Sequence, residues 1–224
     1  MTQIEQQFQL LESLLWEPES GYFLLDRHLQ RLERSANHFQ FPISLTEINQ
    51  ALQALTTTFK SIKQKIRLTI SIDGKLTLQA QILDSGILKN GAFVGIASQP
   101  IDPQLPLFYH KTTYRSPYTI ALESQPKCQD VLLWNKEGFI TESTIANIVI
   151  NTPTGKITPP VNSGLLPGTF REQLLAEGKI REELISLDDL RNTKTIFLIN
   201  SVRRWIEIKK EIDRDIWQVV NNLV

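Results

Sequence analysis

The chain has one cysteine, Cys128, among 224 residues. An internal disulfide framework is therefore excluded, and so are cysteine-rich zinc sites. A reduced, cytoplasmic setting is the expectation. Histidine is scarce too. Of three, His28 and His110 stand in no metal-binding spacing with nearby ligands, and no metal is expected. An excess of one charge is missing, since 24 Lys and Arg balance 24 Asp and Glu. That balance argues against a nucleic-acid partner. It leaves room for a small anionic substrate, because local arginines can act inside a neutral protein. Long apolar runs are absent, so no membrane span is expected. The stretch from Met1 to Trp16 shows no basic leader, and no signal peptide is expected.

What is present reads as an ordinary globular chain, 41% hydrophobic and 21% charged. Its length fits one large domain or two small ones. Phe8 to Trp16 and Tyr22 to Leu25 read as strands. Asp26 offers an N-cap for a helix over Arg27 to His38, where Leu29, Leu32, Ala36 and Phe39 recur at helical spacing. Ser44 with Glu47 is a capping box for a second helix, striped by Leu45, Ile48, Leu52, Leu55 and Phe59. Ile66, Leu68, Ile70 and Ile72 then alternate with polar residues. Asp73-Gly74 makes a turn, and Leu76, Leu78 and Ala80 resume the alternation, which predicts a hairpin.

Gly91 to Ser98 reads as another strand. Residues 100–106, with Pro100, Pro103 and Pro106, suit neither a helix interior nor a central strand. They are the expected linker between subdomains at 1–99 and 107–224. The second half predicts a helix through Ala121 and strands near Val131 to Trp134, Phe139 to Thr141 and Ile145 to Ile150. A proline-rich loop to Pro167 follows, then a helix from about Gly168 to Ala176. Strands at Thr195 to Ile199 and Arg203 to Lys209 close the pattern. The mixture is α/β or α+β in two subdomains.

Local chemistry leaves each candidate site residue with two readings. The run from Gly164 to Thr169 leads into a helix whose backbone N–H groups suit a phosphate, although a helix start need bind nothing. Lys111, between aromatic residues and a helix start, suits either a desolvated nucleophilic amine or a surface lysine. Glu142 at a strand end suits a partner for a cofactor nitrogen or a turn carboxylate. Arg31 suits an anion ligand or a solvated helix arginine, and Arg67 reads as solvated. Ser201 has no nucleophile elbow around it, so a hydrolase triad is poorly supported.

Taken in order, the blocks resemble a family. They are Phe8 to Leu14, Asp26-Arg27-His28-Leu29-Gln30-Arg31-Leu32, His110-Lys111-Thr112-Thr113-Tyr114-Arg115, Leu133 to Gly138, Thr141-Glu142-Ser143-Thr144-Ile145-Ala146-Asn147, Gly164 to Arg171, and Ile199 to Arg203. Together they are similar to the class IV aminotransferase-fold enzymes that use pyridoxal 5'-phosphate. That group holds branched-chain and D-amino acid aminotransferases and aminodeoxychorismate lyase. The resemblance is closest to the lyase domain that some organisms fuse to aminodeoxychorismate synthase. It implies a D-amino acid aminotransferase-like fold, with 107–224 as the cofactor-binding subdomain and a homodimer as the assembly.

By resemblance, Lys111 is the lysine that carries the cofactor as a Schiff base. Glu142 pairs with the pyridine nitrogen. Arg31, the amides of Thr169 and Phe170, and the Ser201 hydroxyl meet the phosphate, while Asn147 stands near the cofactor. Arg67, Arg115 and Arg203 are candidates for substrate carboxylates. The implied reaction is the lyase that releases pyruvate and 4-aminobenzoate for folate biosynthesis, with a functional link to aminodeoxychorismate synthase. A transaminase of the branched-chain or D-amino acid type is the alternative, and a non-catalytic binding protein is the third reading. Tyr114 departs from the asparagine that related lyase domains often carry there.

Overall fold

The alternation of apolar residues around Asp73-Gly74 builds the hairpin it predicts. Strands β3 (Gln64–Ile70) and β4 (Leu76–Ile82) pair antiparallel, with Ile66 opposite Ala80 and Leu68 opposite Leu78. Gly74 has φ +82, and a Cβ there would lie 2.8 Å from the Pro42 carbonyl oxygen, so only glycine suits the turn. The computed structural model describes residues 8–83 and 91–208. The first residues of the N-terminal stretch, and Lys209 at the end of the expected last strand, lie outside the described residues. The chain divides into two units, Met1–Asp84 with His110–Tyr114, and Ser85–Tyr109 with Arg115–Val224. The fold is α/β.

In the first unit, β1 (Leu10–Glu17) pairs with β3 along its length and with β2 (Gly21–Tyr22) at its end, in the order β2-β1-β3-β4. Helix α1 (Leu25–Phe39) packs on β1, and α2 (Leu45–Thr56) follows. Ser44 caps α2 by accepting the Glu47 amide at 3.3 Å. The start of α1 differs from expectation. The strand after Gly21 lasts two residues, because Leu24 turns left-handed at φ 56 and the helix begins at Leu25. Asp26 therefore sits in the first turn, where its charge meets the helix dipole, and does not cap.

In the second unit, β5 (Val94–Ile96) runs parallel to β6 (Asp130–Trp134), which pairs with β7 (Ile140–Ser143). Then come β8 (Asn147–Thr152), β9 (Gly155–Thr158) and β10 (Arg181–Glu182). On its other edge β8 takes β11 (Ile196–Asn200), and β11 takes β12 (Arg204–Ile208). Helices α3 (Ser116–Glu123), α4 (Thr169–Ala176) and α5 (Leu187–Asn192) belong to the same unit. Its core is built on Val131, Leu133, Ile140, Ile148, Leu190 and Leu198, all fully buried.

Three elements here were not legible in the sequence. β9 and β10 lie in and after the proline-rich stretch, and α5 is short. Each is made by tertiary pairing or by a cap, as when Ser186 and Asp189 form a capping box for α5. The expected 100–106 linker falls inside this unit. The prolines leave it only an isolated bridge, Ile101 with Asn135, and the first residue of a 3-10 turn, Pro106–Phe108; the Ile101 amide also donates to Trp134 O at 2.8 Å and its side chain is buried. A parallel β5–β6 pair needs a long crossover. Within that crossover, His110–Tyr114 joins the first unit's sheet.

Candidate active site

In the first unit a buried charged group forms where β1 faces α1. Leu10, Glu12 and Leu14 share one face of the strand. The helix answers with His28, Arg31 and Ser35 at helical spacing, beside the apolar stripe of Leu29, Leu32, Ala36 and Phe39. All of these helix residues are buried. Arg31 donates to Glu12 twice, Nε to Oε1 at 2.8 Å and Nη2 to Oε2 at 2.7 Å, which fixes the guanidinium plane. His28 Nδ1 lies 2.7 Å from Glu12 Oε2. Burial opposes ionisation of Glu12. The charges and hydrogen bonds of Arg31 and His28 outweigh it and hold the carboxyl far below the usual range. Burial pushes the His28 ring down, and the nearby Glu12 restores only part of that. The Glu12 carboxylate can only accept, so His28 donates to it through Nδ1.

Lys111 is held in this same unit by its backbone. Its carbonyl accepts the Leu11 amide at 3.0 Å, and the Thr113 amide donates to Gln9 O at 2.9 Å. The segment thus extends the sheet on the edge of β1 opposite β3. The positive charge of Lys111 reaches His28 and adds to its depression. The neighbouring His110 places Nδ1 3.0 Å from Ser35 Oγ and stacks on His38 at 4.4 Å between centroids. Burial, with the charges of His38 and Arg34, pushes His110 down to about 4.

In the second unit the pairing brings three expected residues, Glu142, Asn147 and Ser201, to one end of the sheet. Glu142 lies at the end of β7 opposite Asn147 at the start of β8, and Ile199 of β11 is opposite Asn147 on the other edge. Ser201 follows β11 in a turn that Asn200 Oδ1 fixes by accepting the amides of Val202 at 3.0 Å and Arg203 at 2.8 Å. Glu142 is buried and takes a donor on each oxygen. Tyr118 Oη gives to Oε1 at 2.9 Å and Asn147 Nδ2 to Oε2 at 3.3 Å. Asn147 Nδ2 also reaches Leu166 O at 2.9 Å.

Gly168 is the N-cap of α4 and offers the first turn no side-chain cap. A Cβ on it would sit 2.1 Å from Asn147 Oδ1. Its φ of −69 is ordinary, so glycine is required here by space and not by conformation. Thr169 and Phe170, buried, open the helix behind it. The three candidate arginines part company. Arg67 is exposed in β3 and Arg203 half-buried in the turn after Ser201. Arg115 donates to Thr144 O and lies 4.0 Å above the Tyr118 ring.

Residues 9–210 match the family described as amino-transferase class IV. The chain belongs to the class IV aminotransferase family. It is 34% identical over 206 residues to a Schizosaccharomyces pombe protein named "Putative aminodeoxychorismate lyase", covering 87% of this chain and 86% of that one. It is 28% identical over 201 residues to a Thermotoga maritima protein named "Probable branched-chain-amino-acid aminotransferase", covering 81% and 72%. A Mesorhizobium loti crystal structure, described as a "Putative amino-acid aminotransferase", superposes with a TM-score of 0.83 at 33% identity, over 90% of this chain and 99% of that one. The chain is thus a class IV enzyme-fold protein related to both aminodeoxychorismate lyases and branched-chain aminotransferases.

Class IV membership implies pyridoxal 5'-phosphate as the cofactor. The donor set fits it. In the second unit a buried helix start without a side-chain cap and a buried hydroxyl suit a phosphate, and in the first unit, taken by itself, Arg31 suits an anion. A buried carboxylate with two donors suits a pyridine nitrogen, and a lysine suits a carbonyl. Among the described residues no cluster of three or more His, Cys, Asp or Glu is placed to hold a metal, and no helix is long and apolar enough to cross a membrane. Sequence reasoning missed Glu12 and Tyr118. Glu12 carried a signal, a charge at an inward position of an apolar strand. Tyr118 carried none beyond its spacing on α3.

Proposed function

We propose that this chain is a pyridoxal-phosphate-dependent 4-amino-4-deoxychorismate lyase that releases pyruvate and 4-aminobenzoate. The observation that carries this choice within the family is the 34% identity to the fission-yeast protein over 87% of the chain. The His110-Lys111-Thr112-Thr113 and Leu165-Leu166-Pro167-Gly168-Thr169 blocks support it. In this reading Arg31, the Thr169 and Phe170 amides and the Ser201 hydroxyl bind the phosphate, and Lys111 is the lysine bonded to the cofactor. When bound, the cofactor supplies an electron sink for the electrons left behind as the substrate loses a proton.

Freed when the substrate amine takes its place on the cofactor, the Lys111 amine takes that proton from the ring carbon that bears nitrogen. Glu142 keeps a proton on the pyridine nitrogen. The ring C–O bond breaks and the enolpyruvyl group leaves as enolpyruvate, which takes up a proton to become pyruvate; the ring left behind is aromatic, which drives the step forward. Arg203, in the same turn as Ser201, is assigned to a substrate carboxylate. The proposal includes a cytoplasmic homodimer supplied by aminodeoxychorismate synthase.

A transaminase is the second reading, favoured by the 33% identity and 0.83 TM-score to the Mesorhizobium loti structure. It uses the same first proton transfer but expels no group: the proton returns, and water then releases a keto acid while the amino group stays with the cofactor. Retention of Lys111, Glu142, Arg31 and Ser201 together speaks against a non-catalytic member. The deciding experiment offers the purified protein aminodeoxychorismate and, separately, amino-acid and keto-acid pairs. Pyruvate and 4-aminobenzoate in equal amounts are expected, whereas keto-acid-dependent amine exchange without them refutes the lyase. Borohydride reduction should attach the cofactor to Lys111, and Lys111→Ala should abolish the attachment. Trapping at another lysine overturns that assignment.

A further inference from the structure

We infer that Tyr118, backed by Arg115, is the positioning residue for Glu142, setting the orientation and the charge of that carboxylate. The inference rests on the reading of Glu142 as the partner of the pyridine nitrogen.

A buried carboxylate must be solvated by protein groups. Glu142 draws them from two different elements, α3 for Oε1 through Tyr118 and β8 for Oε2 through Asn147. A donor on each oxygen fixes the carboxylate plane. It also lowers the basicity of the carboxylate, which favours a pyridinium facing a carboxylate over a neutral pyridine facing a carboxylic acid. The proton then stays on nitrogen.

Arg115 completes the arrangement. Its guanidinium stands 4.0 Å over the Tyr118 ring, where a cation is attracted by the π face and makes the phenol a stronger donor. The same guanidinium donates to the carbonyl of Thr144, two residues beyond Glu142 on the chain. Arg115, Tyr118 and Glu142 therefore form one closed support within the second unit. Burial and the charge of Glu142 hold the Tyr118 hydroxyl well above its ordinary range, so it stays a donor at every physiological pH.

The test reconstitutes the full chain with two cofactors, pyridoxal phosphate labelled with nitrogen-15 in the ring, and 1-deazapyridoxal phosphate, whose ring has C–H in place of nitrogen. The wild type should bind the natural cofactor more tightly and show a protonated ring nitrogen by NMR. Tyr118→Phe, close in shape, should weaken pyridoxal phosphate about tenfold, the worth of one hydrogen bond to a charged group. Its affinity for the deaza analogue should stay within about twofold, and the nitrogen shift should move toward the unprotonated value. Arg115→Gln should move both readouts in the same direction by less, and it carries the test if Tyr118→Phe does not fold. Equal weakening of both cofactors, or an unmoved nitrogen shift in the variants, overturns the inference alone. A wild type that shows no preference and an unprotonated nitrogen overturns the reading of Glu142 and the inference with it.

Discussion

Replacing Glu12 by Gln removes one charge from a buried group of carboxylate, guanidinium and imidazole. The side chains of Glu12, His28 and Arg31 are 2%, 1% and 5% exposed. Three charge-assisted contacts of 2.7–2.8 Å depend on the carboxylate. At roughly 1.5–3 kcal/mol each they would sum to several kcal/mol. Desolvation cancels much of that, so the figure for breaking a buried pair, about 3–5 kcal/mol, is the better measure. The cost is mostly that of leaving Arg31 buried without its counter-ion.

For a chain of this length each kcal/mol moves the melting temperature about 2–4 °C, so Glu12→Gln should melt roughly 6–20 °C below wild type. Circular dichroism melts and amide exchange in the first unit read this directly. The folded carboxyl titrates far below its ordinary value of 4.5. Its contribution is therefore complete above about pH 4.5 and fades as pH falls toward the folded value. The gap between variant and wild type should be flat from about pH 5 to 8 and narrow below about pH 4. A variant that melts within about 2 °C of wild type at pH 7, or a gap that widens in acid, refutes the reasoning.

His110 gives a second pH test. Its ordinary value of 6.5 drops to about 4 in the fold, so the unfolded chain takes up the proton first, and stability falls as pH drops between those values. Discounted for the exposed half of the ring, the effect is about 1–2 kcal/mol. His110→Asn should flatten the melting-temperature slope in that window by a matching amount, and an unchanged slope counts against it. Gly168→Ala puts a Cβ where Asn147 Oδ1 lies. It should cost about 1–3 kcal/mol and weaken cofactor binding. Adding Asn147→Ala should restore part of the stability but not the binding, and a fully additive double variant would show that the clash lies elsewhere.

Periodicity carried far in this chain. The β3–β4 hairpin, the stripe of α1 and the Ser44 cap of α2 follow from side-chain spacing over a few residues, which acts before any tertiary contact forms. The start of α1 did not follow, because a left-handed Leu24 has no compositional mark. β9 and β10 did not either, since their hydrogen bonds come from strands distant in the chain. The 100–106 stretch shows a related limit. Its prolines bar a central strand or a helix interior, but they do not bar packing, and Ile101 is buried.

The site divides along the same line. Order and identity of the blocks were enough to single out Lys111, Arg31, Glu142, Asn147, Thr169 and Ser201 as candidates, because resemblance is a property of the string. Local chemistry could not rank them, for a lysine or a glutamate in isolation has no environment. Tertiary structure supplied the environment. Antiparallel pairing set Glu142 beside Asn147, a helix face closed on Glu12, and Arg115 came to lie on a tyrosine ring. Charge and hydrogen bonding act over a few ångströms, and only the folded chain brings residues that far apart in sequence within such a distance.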